Sequence, residues 1–485
     1  MRSTIAASGL LTLVFAVAPL ALPAQQQAGA PAASGRIELT SGSDVAKTEY
    51  RQLIIEFANL RGRVAREHAL KALAGDPNFG LARVYLATAG LSPQLSADER
   101  VAEMNRAIAA MSSSSAPELL LAVALREGAA GRAPVSQAII KTLAQLAPNE
   151  PLYAFTVFGN ERTGKPLEQI LREERELIQK FPDWAAGYNT YAYDLHASGD
   201  HEGEITAIRE YVRRAPTQPN AHDTWSDLLI MHDRLADAES HTQAALRLDS
   251  MWAQGYAKIG TIRLAEGKVP EARALFARYG EVGGTTATKL DAHYWLAATY
   301  IYDHDAKSGL RELAAIGDEA VALRGTAAQR ALPYQRLAVI EAVAGDKKNV
   351  APNLARAAAV TGASALTQSL FATMANGFAG DAAAAQASAD AYAAATGANA
   401  ATGHTLKAIA AIAAKNYALA DTELNQSAPT DVLARALRAE VLKQQGKTAE
   451  AKVIKDEVLK LLIKLPNNAP LDFNRLVARL RVEKI

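Results

Sequence analysis

The central part of the chain repeats one pattern of apolar and polar positions every 34 residues, a period set by Pro148, Pro182 and Pro216. Within each period, apolar residues at positions 4, 7, 8 and 11 share one helical face, and those at 20, 24 and 27 share another. The pattern therefore predicts two antiparallel helices in every period. Five such blocks start at Pro117, Pro151, Ala185, Pro219 and Ala253.

The connection between the two predicted helices is short and has a recurring signal. Glycine stands at position 15 in blocks such as those containing Gly199 and Gly267. Glycine ends helices in a left-handed conformation at low cost, and the Asp200 side chain that follows Gly199 can cap the next helix. Small residues at positions 8 and 20 let the two helix backbones approach closely. Each block is thus predicted to be a compact helix pair.

These blocks resemble the tetratricopeptide repeat (TPR) family. The resemblance is clearest in residues 253–281, and looser copies extend it over most of residues 45–465. It implies an all-α fold, namely an α-solenoid or right-handed superhelix of antiparallel helix pairs, with a concave groove lined by the first helices. The matching residues are Tyr256, Ile259, Gly260, Gly267, Ala272 and Phe276.

The quality of the repeat divides the chain into segments. Residues 44–116 are predicted to be irregular N-terminal helical repeats, 117–286 five in-register repeats, and 287–465 divergent repeats. The alanine-rich stretch 381–400 is interpreted as a buried helix rather than disorder, because Ala385, Ala389 and Tyr392 fall on one face. Residues 466–485 are predicted to form a capping helix that covers the last repeat and shows water a charged face.

The N-terminus has the pattern of a secretory signal peptide. Arg2 precedes an uncharged apolar run from Ile5 to Leu22, and Ala24 ends a plausible cleavage site, so residues 1–24 are predicted to be removed. The alternative is an uncleaved membrane anchor. Residues 25–43 are predicted to be a flexible linker. The protein is accordingly expected to be periplasmic or secreted, with no membrane span after cleavage.

Charge and cysteine content narrow the possible functions. The chain has 52 Lys and Arg residues against 51 Asp and Glu residues and no cysteine. Removing residues 1–24 would remove Arg2 and no acid, which leaves a formal charge of zero. A balanced charge argues against nucleic acid as a partner, and the absence of cysteine excludes disulfides and thiolate metal sites.

Two sequence features are candidates for chemistry. Residues 159–166 lack the hydroxyl that a phosphate-binding loop needs, because Pro166 follows Lys165, so this segment is interpreted as an inter-helix turn. Five of the nine histidines lie within residues 196–241, at repeat positions expected to point in different directions. We therefore expect no metal site and no cofactor. These histidines are His196, His201, His222, His232 and His241.

The resemblance implies that groove residues occupy positions 2, 5, 9 and 12 of each repeat. A groove with this mixed lining suits an extended peptide or a helix of a partner protein. The sequence thus predicts a non-catalytic protein- or peptide-binding scaffold. The alternatives are an envelope enzyme or glycan-handling protein, and a structural subunit of a secretion or outer-membrane assembly. The candidate contact residues are Asn189, Tyr193, His196, Asn220, Asp223, Asp227, Gln254 and Thr261.

Overall fold

A computed structural model describes residues 34–303, 305–323, 325–463 and 473–483. Within these ranges every regular element is an α-helix, and consecutive helices pack as antiparallel pairs. The predicted all-α solenoid of antiparallel helix pairs is confirmed. No helix in the described ranges is both long enough and apolar enough to cross a bilayer. The predicted signal peptide, residues 1–24, lies outside the described residues.

The five in-register blocks each contain two helices, as the 34-residue pattern predicts. Each first helix packs against the second helix of its own block, and this contact is smallest in the second block. The chain turns between them through left-handed residues, for example Gly199 with φ of 81° and Asp233 with φ of 60°. The helices are α5 (Ala116–Ala129), α6 (Ala133–Leu146), α7 (Pro151–Glu161), α8 (Leu167–Lys180), α9 (Gly187–Ser198), α10 (His201–Arg214), α11 (Pro219–Met231), α12 (Leu235–Leu248), α13 (Ala253–Ala265) and α14 (Val269–Gly283).

The N-terminal region forms four helices, of which α3 is short. Ser43 caps the first of them by accepting a hydrogen bond from the backbone N–H of Ala46. The four helices are α1 (Asp44–Ala58), α2 (Gly62–Gly75), α3 (Gly80–Leu86) and α4 (Ala97–Ala109).

Residues 35–43 are not a flexible linker, which corrects that part of the prediction. The backbone N–H of Thr40 donates to Glu118 at 3.1 Å, and that of Ile37 donates to Glu150 at 3.3 Å. These bonds attach the segment to the first turn of α5 and to the residue before α7. The composition of the segment suggested a linker, whereas these long-range bonds are not visible in a local pattern.

The C-terminal half continues the alternation of first and second helices. The alanine-rich stretch is helical as predicted, and Ala385, Ala389 and Tyr392 are buried. The helices are α15 (Thr286–Tyr302), α16 (Ala306–Ala322), α17 (Ala327–Ala344), α18 (Val350–Ala358), α19 (Ala365–Ala379), α20 (Ala382–Ala394), α21 (Ala400–Ala413), α22 (Tyr417–Leu424), α23 (Val432–Gln444) and α24 (Thr448–Ile463).

The last helix, α25 (Phe473–Val482), lies differently from the predicted cap. It packs on α23 and α24, as a cap of the last repeat would, but it also contacts α17 and α15. The charged face of this helix, which includes Arg479 and Arg481, does not simply face water. Instead, the Arg479 guanidinium stacks 4.3 Å from the Tyr302 ring centroid, and Arg481 pairs with Glu440 on α23. Helix α25 therefore covers the first helices of several repeats.

The N-terminal helices also fold onto the central repeats. The Tyr211 hydroxyl on α10 donates to Asn59 at 2.8 Å, and Gln218 donates to Glu56 at 3.0 Å. Arg61 lies 3.5 Å from the carboxylate of Asp249. These contacts join residues more than 150 positions apart, so the end of α1 and the α1–α2 connection lie against α10, the start of α11 and the end of α12.

Candidate functional site

A cavity of about 790 Å³ lies between the α1–α2 connection and the first helices α9, α11, α13 and α15. We call it the groove cavity. One wall is formed by residues 60–66 and 90–94, and the other by the first helices and the segments that precede α13 and α15. First helices line this cavity. It therefore lies on the face where the family resemblance implied a groove.

Seven of the eight predicted contact residues line the groove cavity. Asn220, Asp223, Asp227 and Thr261 are buried there, Asn189 and Tyr193 are half-buried, and Gln254 is exposed. Their contact with a partner stays a prediction. The eighth, His196, does not line the cavity.

The floor of the cavity is a buried group of charges. The Nζ of Lys258 lies 2.8 Å from Oδ1 of Asp223 and 2.5 Å from Oδ1 of Asp227, and it donates to the Asp223 backbone carbonyl at 2.8 Å. Burial raises the pKa of Asp227 above its usual value, and Lys258 opposes that rise. Burial alone would lower the pKa of Lys258, but the two carboxylates outweigh it and hold that pKa above its usual value.

Sequence reasoning missed Lys258. It occupies position 6 of its repeat, next to but not among the expected groove positions. The available signal was a lysine in the middle of the first helix of the 253–281 block, between apolar residues, with two aspartates on the preceding first helix. Because charges are rarely buried without a partner, that lysine implied an acidic neighbour.

Hydrogen bonds hold the cavity wall in place. Tyr193 donates to Oδ2 of Asp227 at 2.8 Å, and Asn189 donates to the Thr224 hydroxyl at 2.7 Å. Asn220 donates to the hydroxyl of Tyr211 at 2.9 Å. These four predicted contact residues are therefore already engaged by side chains of the protein itself. The wall is preorganised, so a ligand would not have to pay the full entropic cost of ordering these side chains.

The mouth of the cavity combines ionic and apolar side chains. Arg61 and Arg63 reach Asp249 from the opposite wall at 3.5 and 3.3 Å. Beside them, Leu60 is 71% exposed and Met251 is 45% exposed. The rim of the cavity therefore offers a ligand apolar side chains next to charged ones. No short-range sequence pattern links Leu60–Arg63 to the central repeats, so sequence reasoning missed this wall.

Trp252 adds a polar group to the lining. Its ring is buried at the cavity, and within the described ranges its indole N–H has no hydrogen-bond partner. A buried donor without an acceptor is costly, so a ligand acceptor at this position would gain from the contact.

The histidines converge, contrary to the sequence argument that they point in different directions. His196, His201 and His232 surround Glu204, and His222 and His241 lie with their Nδ1 atoms 3.0 Å apart. The prediction was wrong because a repeat position describes one helix at a time. The ends of helices from neighbouring repeats lie close together in space. Burial, and next the neighbouring His222, lower the pKa of His241 to about 4. In this second pair, the His241 ring stacks on the Trp225 ring and not on a carboxylate.

The segment resembling a phosphate-binding loop is an inter-helix turn, as interpreted from the sequence. Helix α7 ends at Glu161 and α8 begins at Leu167. Lys165 lies 2.7 Å from the carboxylate of Glu173. This lysine is therefore engaged by the protein itself.

Comparisons with known proteins add little beyond the fold. No protein-family model matches the chain, and no curated protein matches it significantly in sequence. Among solved structures, the chain is similar to the crystal structure of YrrB, a TPR protein with an unusual peptide-binding site. The match has 16% identity and a TM-score of 0.26, and it covers 38% of this chain and 91% of YrrB.

A second similar structure is the human IFIT1 dimer with m7Gppp-AAAA. It has 14% identity and a TM-score of 0.40, and the match covers 87% of this chain and 96% of that one. Both similarities are weak. The repeat fold is therefore established by the helix pairs of the chain itself, and the ligands of these two proteins are properties of those proteins.

Proposed function

We propose that this chain is an exported, non-catalytic scaffold that holds a segment of another protein in the concave groove of its helical repeats. The observation that carries the proposal is helix α25, which lies on first helices of the C-terminal half in the way a bound partner helix would. Helix-in-groove binding buries one apolar face of a helix against a row of first helices.

The contacts of α25 indicate which chemistry suits the groove. The rings of Phe473 and Phe371 pack with centroids 5.4 Å apart, and Leu476 and Val477 are buried. Arg481 pairs with Glu440 at the edge of this contact. Apolar anchors flanked by ionic pairs are the usual composition of protein interfaces.

The groove cavity is the part of the same surface that stays open. Its rim offers Leu60 and Met251 to an apolar side chain, and Trp252 offers a donor to a backbone carbonyl. We infer that it receives a short extended segment with one apolar anchor. The balanced charge of the chain favours a protein segment over nucleic acid.

The state of the ionisable groups favours binding over catalysis. Lys258, Asp223 and Asp227 are occupied by one another at the cavity floor. A general base or nucleophile needs a free position facing the substrate. The enzyme alternative would therefore require the ligand to break this ionic group.

Export rests on the sequence of residues 1–24. Intact-mass measurement on protein recovered from the producing cell tests it, and we expect a mature chain that begins near Gln25. A mass that retains residues 1–24 in a membrane fraction would instead favour the anchor.

Position-specific photocrosslinking tests the groove assignment. A photoreactive amino acid replaces Gln254 or Met251, both exposed at the cavity, and in the control replaces Val453, which is 59% exposed on the second helix α24. We expect one protein adduct from the two cavity positions and none from Val453. The same adducts from all three positions would contradict the assignment.

A small-molecule or glycan ligand is the second candidate, and the size of the groove cavity favours it. Its 790 Å³ lies within the roughly 300–1,000 Å³ of typical small-ligand pockets, and Trp252 and Trp295 line it. Native mass spectrometry of the freshly purified full chain separates the candidates. A retained small mass, together with no protein adduct from Gln254, would favour this one.

A further inference from the structure

Three histidines from neighbouring repeats surround one glutamate outside the groove cavity. His196 lies in the last turn of α9, His201 and Glu204 in the first turn of α10, and His232 directly after α11. We call these four residues the histidine–glutamate cluster. Their candidate ligand atoms all lie within 4.8 Å of one another.

Both carboxylate oxygens of Glu204 face imidazole nitrogens. Nδ1 of His196 lies 3.1 Å and Nδ1 of His201 lies 3.4 Å from Oε2. Nε2 of His232 lies 2.9 Å from Oε1 and 3.0 Å from Oε2. No lysine or arginine in the described ranges forms an ion pair with this carboxylate.

The position of Glu204 makes this arrangement costly without a cation. Glu204 is only 2% exposed and occupies position 20, where the next two repeats have the fully buried Ala238 and Ala272. A buried carboxylate is strongly unfavourable unless a positive group compensates for its lost hydration. One protonated imidazole would be enough to balance the charge of the Glu204 carboxylate. Three imidazoles nevertheless lie around it.

We propose that the histidine–glutamate cluster binds a divalent transition-metal ion of the zinc class. Zinc is bound by His nitrogens and carboxylate oxygens at about 2.0–2.2 Å in a tetrahedron, which separates neighbouring ligand atoms by about 3.3 Å. The nitrogen–oxygen distances of 2.9–3.4 Å in the cluster are close to that spacing. His201 is the most exposed of the three histidines and can close the remaining gap by side-chain rotation.

Four protein ligands would make this a closed, structural site. The ion would join α9, α10 and α11, and thereby two successive repeats. His196 lies one turn after Tyr193, and His232 follows the helix that carries Asp227. The metal would therefore stiffen the wall that lines the groove cavity without entering it. Because this site is separate from the cavity, its test stands apart from the test of partner binding.

Isothermal titration with Zn²⁺ tests the proposal on the full mature chain, produced without a histidine tag and stripped of metal with a chelator. We expect one Zn²⁺ per chain with a dissociation constant of about 1 µM or tighter. Zn²⁺ should also raise the thermal unfolding midpoint, because it binds only the folded state.

Substitution locates the ion. His201→Gln removes a largely exposed ligand and Glu204→Gln keeps the shape of the buried one, and each should weaken Zn²⁺ binding at least about tenfold. His404→Gln is the matched control, since His404 faces a single carboxylate, that of Glu423. Absence of Zn²⁺ binding would overturn the proposal. Binding that both cluster variants leave unchanged would also overturn it.

Discussion

Between α9 and α15 the concave surface of the repeats encloses an open cavity, whereas between α15 and α23 the same surface is covered by the chain's own helix α25. The two halves are also held together by different interactions. In the open half, buried charges and long-range hydrogen bonds join the walls. In the covered half, apolar and aromatic side chains of α25 make the contact.

This difference indicates where on the repeats a partner can bind. Apolar surface on first helices is unfavourable in water, and in the C-terminal half α25 removes it from solvent. In the open half, polar side chains at the cavity floor such as Tyr193, Asp227 and Lys258 are paired with one another, so they need no covering helix to supply partners. The open half is therefore available for binding while the covered half is already filled.

The largest effect is expected from Lys258→Met, which leaves Asp223 and Asp227 buried without their cation. Loss of one partner of a buried ionic group costs about 3–5 kcal/mol. Chemical denaturation should show a loss of this size, and hydrogen exchange should place it in α11 and α13. Lys268→Met is the control, because Lys268 is half-exposed and pairs only at the surface. An unchanged midpoint for Lys258→Met would mean that the ionic group does not hold the open half.

Leu476→Ala tests the covered half. Leu476 is 1% exposed, and truncating a buried leucine costs about 2–4 kcal/mol. Hydrogen exchange should rise in α25 and also in α17 and α23, on which it packs. The exposed Val453→Ala on α24 should change neither. If only α24 and α25 lose protection, then α25 is a local cap and the two halves do not differ as described.

A pH titration tests a buried acid on α8, the helix that packs on α9 at the edge of the open half. Burial, and next the charge of Asp194, raises the pKa of Glu174 on α8 to about 9. The folded state therefore holds a proton that the unfolded state releases, and stability falls as the pH rises from the unfolded pKa toward about 9. Glu174→Gln should remove about 1–3 kcal/mol of this fall between about pH 5 and pH 9. An equal pH dependence in both proteins would show that Glu174 is ionised.

The smallest effect on stability is expected for the hydrogen bond between Tyr211 and Asn59, which joins the N-terminal wall of the cavity to the central repeats. Tyr211→Phe removes the hydroxyl that donates to Asn59 and should cost about 0.5–1.5 kcal/mol. A double-mutant cycle with Asn59→Ala measures the coupling between the two walls. Tyr256→Phe, which removes a hydroxyl that donates to the backbone carbonyl of Ser250 six residues earlier in the chain, is the comparison. A coupling energy of zero would mean that the walls are not joined through this bond.

The repeat pattern predicted the parts of the molecule that depend on local sequence. The 34-residue spacing placed both helices of all five central blocks, and the glycine at position 15 placed the turns, including Gly199 and Gly267. The alanine-rich stretch was predicted correctly because Ala385, Ala389 and Tyr392 share one helical face. The periodicity of apolar residues indicates which face of each helix is buried, and that information is sufficient to predict a solenoid of helix pairs.

Contacts between distant repeats could not be predicted in the same way. The Arg61–Asp249 contact spans 188 residues and depends on the curvature of the whole array. The placement of α25 on α15 and α17 depends on that curvature too, so the helix was expected to cover only the last repeat. The repeat frame identified seven side chains of the cavity wall, but not Lys258 or the convergence of His196, His201 and His232.

Hydrogen exchange of the full mature chain, with and without the partner segment identified by crosslinking from Gln254, tests whether the open half is the binding surface. We expect slower exchange in α9, α11 and α13 and in the α1–α2 connection, with α25 unchanged. Faster exchange in α25 on binding would show that the partner replaces it in the covered half. That result, or protection confined to the second helices, would contradict the claim that the open half of the groove is the binding surface.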